Sequence, residues 1–116
     1  MKQLFFIAFV TSIVVAACKT KKSTTTSADN SINYDAQLAG IKDKFPDATV
    51  EELKAGNAIY SGACTRCHGK KDVTKYTDEK LIQVIDKMSK KAKITDQEKQ
   101  SLVKFAYGVR AVSASK

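Results

Sequence analysis

The 116-residue sequence predicts a small all-α protein, and three observations carry that prediction. Thr49-Val50-Glu51-Glu52 and Thr95-Asp96-Gln97-Glu98 are capping boxes, in which a threonine hydroxyl and a glutamate carboxylate satisfy each other's orphan amides at a helix start. Apolar residues downstream of such starts recur at intervals of three and four, the spacing of a buried helix face. No segment combines strand alternation with hairpin turn residues.

Taken in order, Tyr34, Leu38, Ile41 and Phe45 fall near a helical period, but Gly40 weakens it, so a short helix and an extended lead-in both fit. Pro46 ends any helix at Phe45, because proline disfavours helical backbone in the residue before it. Thr49 opens a helix over residues 50–61 that offers Leu53, Ile59 and Tyr60 for burial. Thr77 or Asp78 caps a second helix, in which Leu81, Ile82, Val84, Ile85 and Met88 make one apolar stripe with lysines on the other face. Thr95 opens a third, carrying Leu102, Val103, Phe105, Ala106 and Val109, with its end blurred by Gly108 and the small, polar residues 113–116.

Residues 1–17 have the parts of an export signal: Lys2, an apolar run, and small residues at the end. The run is too short to span a bilayer. It closes on Val15-Ala16-Ala17-Cys18, which resembles the lipobox of bacterial lipoproteins; that resemblance implies cleavage before Cys18 and a lipid on its thiol. An ordinary signal followed by an unmodified Cys18 is the plainer alternative. Residues 18–33 are polar and rich in serine and threonine, a composition unable to bury enough surface to fold, and read as a flexible tether. The globular domain is expected over 34–111, with a tail at 112–116. A domain of this size gains only marginal stability from an apolar core and commonly needs a disulfide, metal or cofactor.

Cys64-Thr65-Arg66-Cys67-His68 has the spacing of a c-type haem attachment site, with Cys64 and Cys67 as thioether donors and His68 as the proximal iron ligand. His68 is the sole histidine of the chain, and it stands where that motif needs one. Its second ring nitrogen is expected to donate to a backbone carbonyl, which orients the ring. Zinc wants four ligands, and with Cys18 assigned to lipid no further thiol or imidazole is left to complete a set with Cys64, Cys67 and His68. A thioredoxin-like redox pair lacks its βαβ context. For the sixth iron position there is no second histidine; Met1 leaves with the signal, so Met88 is the one candidate thioether. A core-filling methionine with an open sixth site, or a lysine ligand, are the alternatives to Met88 as distal ligand.

The formal net charge is +8, and residues 69–93 hold eight lysines against four acids. That patch suits either an acidic redox partner or mere solubility; nucleic acid is not expected as a partner of an exported chain.

Gly56-Asn57-Ala58-Ile59-Tyr60 followed by residues 64–68 resembles the first helix and haem motif of small class I bacterial cytochromes c, and Ile94 to Phe105 is similar to their last helix. The resemblance implies three main helices packed around one covalent haem c, with Gly56 letting the first helix approach Phe105 on the last, and Met88 at the axial methionine position. Two departures stand out. The stretch from His68 to Met88 lacks the long loop and proline of larger members, and the tryptophan that compact relatives often carry early in the second helix is absent, with Leu81 or Ile82 in that region, so its contact to a haem propionate has no counterpart unless Tyr76 supplies one. The implied function is one-electron transfer by a monohaem protein tethered to a membrane through Cys18, facing the periplasm or cell exterior, as a monomer or as a subunit of a respiratory complex. A haem-based sensor with an open sixth position is the runner-up. No distal histidine and no spare acid–base pair stand beside the motif, so an enzyme is not expected.

Overall fold

Each helix begins where a side chain captures free amides. The computed structural model describes residues 32–116; the export segment, Cys18 and the tether as far as residue 31 lie outside the described residues. Among the described residues there are four α-helices and no strand: α1 (Tyr34–Ile41), α2 (Val50–Ser61), α3 (Asp78–Ala92) and α4 (Asp96–Ala114), with 3-10 turns at Ala63–Thr65 and Val73–Lys75. At the start of α2 the Thr49 hydroxyl accepts from the Glu52 amide at 3.2 Å while the Glu52 carboxylate accepts from the Thr49 amide at 3.1 Å. Thr95 and Glu98 repeat the pattern at 3.2 and 2.7 Å ahead of α4. Thr77, not Asp78, caps α3, its hydroxyl accepting from Lys80 at 3.3 Å.

The expected three main helices become four, because the residues before Pro46 are helical. Asn33 Oδ1 accepts from the Ala36 amide at 2.9 Å to start α1, and Ile41 and Gln37 are buried at its inner face. The helix stops at Ile41, short of Phe45. α4 runs on to Ala114, past the point where its sequence turns small and polar.

α4 is the axis against which α1, α2 and α3 all pack, α2 most extensively. Glycines set how close these helices come. A Cβ on Gly56 would fall 2.2 Å from the Ser101 carbonyl oxygen and 2.6 Å from Phe105 Cβ. At the other crossing, Gly40 faces Ala111 and Gly108 faces Gln37, where added Cβ atoms would come within 2.6 and 2.9 Å. Gly40, a helix breaker by its own propensity, is thus what lets α1 lie on α4.

The buried apolar residues form two groups. Ile41, Ala48, Leu53 and Phe105 are packed among α1, α2 and α4. Val73, Leu81, Ile85, Leu102 and Ala106 gather between α3, α4 and the Val73 turn. Ion pairs tie the elements at the surface. Lys104 on α4 meets Glu52 on α2 at 2.6 Å, and this bond is the main cause of the lowered Glu52 carboxyl pKa. Asp78, the first residue of α3, binds Lys44 at 2.7 Å and also the Arg110 guanidinium on α4.

Those two bonds, Lys44 first, hold the Asp78 carboxyl at a pKa of about 2 against an ordinary 3.8. A folded-state pKa below the unfolded one adds stability that is present above about pH 4 and is lost as pH falls towards 2. Asp78 remains 43% exposed, so water and salt screen the effect. Asp78→Asn should therefore melt below the wild type at pH 6, with the gap closing on acidification to pH 2. A constant gap across that range, read from thermal melts in low salt, would contradict this account.

Candidate functional site

The second apolar group does not close on itself. Val73, Leu81, Ile85, Leu102 and Ala106, joined by Val84, wall a cavity of about 280 Å³ that opens to solvent. Its volume lies just below the roughly 300–1,000 Å³ typical of ligand pockets. Five of the nine buried hydrophobic residues that make up the core thus face a hollow.

The chain reaches that hollow from the end of α2. Gly62 donates its amide to the Ala58 carbonyl at 2.9 Å and closes the helix. The Thr65 hydroxyl donates to the Ser61 carbonyl at 2.7 Å, holding the 3-10 turn that carries Cys64 against the helix end. Cys64 is half-buried in the cavity wall, and burial pushes its thiol pKa up. His68 also lines the cavity, with Nδ1 2.9 Å from the Gly69 carbonyl oxygen. A carbonyl only accepts, so Nδ1 carries the proton and Nε2 of the neutral ring keeps its lone pair.

Met88 lines the same cavity from α3, one turn beyond Val84 and Ile85. Helical spacing puts residues 81, 84, 85 and 88 on one face, and that face forms the cavity's α3 wall. Of the residues singled out from sequence, the structure therefore brings Cys64, His68 and Met88 together around one apolar space. Cys67 is exposed, outside the cavity lining, and Cys18 lies outside the described residues. Cys64 and Cys67 are both free thiols. Among the described residues no three His, Cys, Asp or Glu side chains gather to hold a metal ion between them.

Several site residues were not singled out beforehand. Val73 forms part of the wall; its signal was that it is the lone apolar residue between Gly69 and Lys75. Tyr76, named beforehand only as a stand-in for the missing tryptophan, lines the cavity as well. Tyr60, read as available for burial and as part of the cytochrome-like stretch, packs at a tilt on Phe105 with ring centroids 5.7 Å apart and donates its hydroxyl to the Lys71 carbonyl. That bond ties the end of α2 to the loop beyond His68. Burial is the first cause of the raised Tyr60 phenol pKa. Lys70 and Lys71 complete the lining at the solvent side.

Comparison with protein-family models, with curated proteins and with solved structures finds no match for this chain. The fold and site by themselves define an all-helical protein with an apolar hollow in its core. Among the described residues, no helix is long and apolar enough to cross a membrane.

Proposed function

We propose that this protein is a one-electron carrier of the small cytochrome c type, holding one covalent haem c in the cavity. The observation that supports the reading is the convergence of Cys64, His68 and Met88 on an apolar hollow inside the core. An apolar macrocycle needs apolar walls, its iron needs a lone pair from nitrogen or sulfur, and covalent attachment needs a thiol at its edge; these residue types fit all three. Thioether attachment tolerates a partly exposed ring, which suits a cavity of this size with an open mouth. Haem c, when bound, supplies an Fe(III)/Fe(II) couple.

The chain's own groups then have separate tasks. Cys64 and Cys67 carry the thioethers, one from the cavity wall and one from the exposed side. His68 offers Nε2, and its Nδ1–H bond to Gly69 fixes the ring and raises the basicity of the ligating nitrogen. Met88 offers a soft thioether from the α3 wall, which as a second ligand would raise the potential and leave no position for a substrate. Apolar walls exclude water and disfavour the more highly charged oxidised state. In the same reading, Cys18 carries a lipid, the tether lets the domain pivot above the membrane, and the lysines steer acidic redox partners into brief encounters.

Optical spectra of the purified protein, oxidised and reduced, with and without carbon monoxide, test this. Low-spin haem c bands, a weak methionine–iron absorption at long wavelength and a ferrous form slow to bind carbon monoxide are expected. A high-spin ferrous form that binds it at once would replace electron transfer with ligand sensing, and a colourless protein would end the haem reading.

A further inference from the structure

The charged residues of the cavity mouth are of one sign. Lys70 and Lys71 line the cavity and are exposed, which places them where the apolar walls meet solvent; no carboxylate shares the lining. The nearest acid in sequence, Asp72, is engaged elsewhere, accepting from the Thr74 amide at 3.0 Å and hydroxyl at 2.6 Å. Tyr60 organises both lysines. Lys70 Nζ lies 5.6 Å from the centre of the Tyr60 ring, and the Tyr60 hydroxyl is bonded to the backbone carbonyl of Lys71. An apolar hollow rimmed by two adjacent cations, one beside the ring of the half-buried Tyr60 and the other on backbone tied to its hydroxyl, matches an occupant with an apolar body and anionic groups at one edge.

We propose that Lys70 and Lys71, held by Tyr60, are the carboxylate-recognition pair of this cavity. The inference rests on the porphyrin reading above, and it assigns the two propionates of that ring to these lysines. Without a tryptophan in the chain, the polar edge of the ring is met by charge instead of by an indole N–H. Ion pairs at an apolar mouth are screened less than pairs in open solvent, so the lysines also select which edge of the ring faces outward.

The test pairs a change in the ligand with a change in the protein. Mesoporphyrin carries both carboxylates but no vinyl groups for thioether chemistry, and its dimethyl ester is the neutral counterpart; the metal-free forms keep His68 and Met88 ligation out of the measurement. Affinities for the full chain prepared without haem are read from porphyrin fluorescence. The wild type is expected to favour the diacid about tenfold, as two charge pairs at a partly buried mouth allow. Lys70→Gln with Lys71→Gln should reduce the preference to twofold or less, Lys70→Arg with Lys71→Arg should keep it, and Tyr60→Phe should lower it about threefold. Lys87→Gln with Lys91→Gln, outside the cavity lining, should leave it unchanged. Equal binding of diacid and ester by the wild type, or a preference that survives loss of both lysines, would overturn the carboxylate assignment and leave the porphyrin reading standing. Failure of both porphyrins to bind would overturn the two together.

Discussion

Replacing Gly56 with alanine is expected to lower the unfolding free energy by about 3 kcal/mol, near the top of the range for overpacked sites. Two effects oppose each other. Alanine is the better helix former by roughly 1 kcal/mol, which favours the variant at an exposed helical site. At this site the new methyl would lie 2.2 Å from a backbone carbonyl oxygen, at Ser101, and 2.6 Å from Phe105 Cβ. Backbone oxygen on α4 cannot swing aside as a side-chain tip can, so α2 must move off α4 and uncover Leu53 and Phe105, both buried. The steric cost therefore wins. For a domain of this size the loss corresponds to a fall in Tm on the order of 15 °C. Gly69→Ala is the control, since nothing lies within 4 Å of its added Cβ and no glycine among the described residues has a positive φ. Thermal melts that place Gly56→Ala within a degree or two of Gly69→Ala would refute the close packing of α2 on α4.

On the haem reading proposed above, Met88→Ala is expected to convert the loaded protein from low spin to high spin, to open it to carbon monoxide, and to lower its potential by on the order of 0.1 V within the roughly 0.8 V span that axial ligands command. The side chain is half-buried and lines the same cavity as His68, so its removal takes away the one thioether on the wall. A merely core-filling methionine would give another result, namely a modest drop in Tm with the spectrum unchanged. Met88→His separates the cases further: it keeps a side-chain ligand at the same position and should retain a low-spin spectrum at lower potential. Spectra and redox titrations of the two variants decide between ligand and filler.

The helix starts were legible because capping is local. Thr49 with Glu52 and Thr95 with Glu98 carry their partners three residues away, and both pairs form as the sequence suggests. Helix ends were less so. α3 closes through Lys93 in the left-handed region at φ 54, where the sequence has no glycine to mark the stop, and the Ile94 amide reaches back to the Ser89 carbonyl at 3.2 Å. α1 was ambiguous because Gly40 has two meanings: alone it weakens a helix, and opposite Ala111 it permits a crossing. That second meaning belongs to a pair of residues 71 positions apart and cannot be read from either one. The site divides in the same way. Cys64, His68 and Met88 stood out by type and count, and they share one cavity. Lys70 and Lys71 counted only as members of a basic patch, and Tyr60 as a residue for burial in the cytochrome-like stretch, until the loop brought them to its mouth.

The hollow core also bears on how such a chain lives before it is complete. An empty space of about 280 Å³ forfeits contacts at about 24 cal/mol per Å³ in a dry core, on the order of 7 kcal/mol as an upper bound for a cavity open to water. That is comparable with the 5–15 kcal/mol that typically separates folded from unfolded protein. On the reading proposed above, an occupant would supply the missing partners for Leu81, Ile85 and Leu102, so loading and stability are expected to rise together. The loop 69–75, exposed apart from Val73, is where cleavage is expected to slow on loading. Filling the cavity makes protease resistance a measure of how many molecules have been completed.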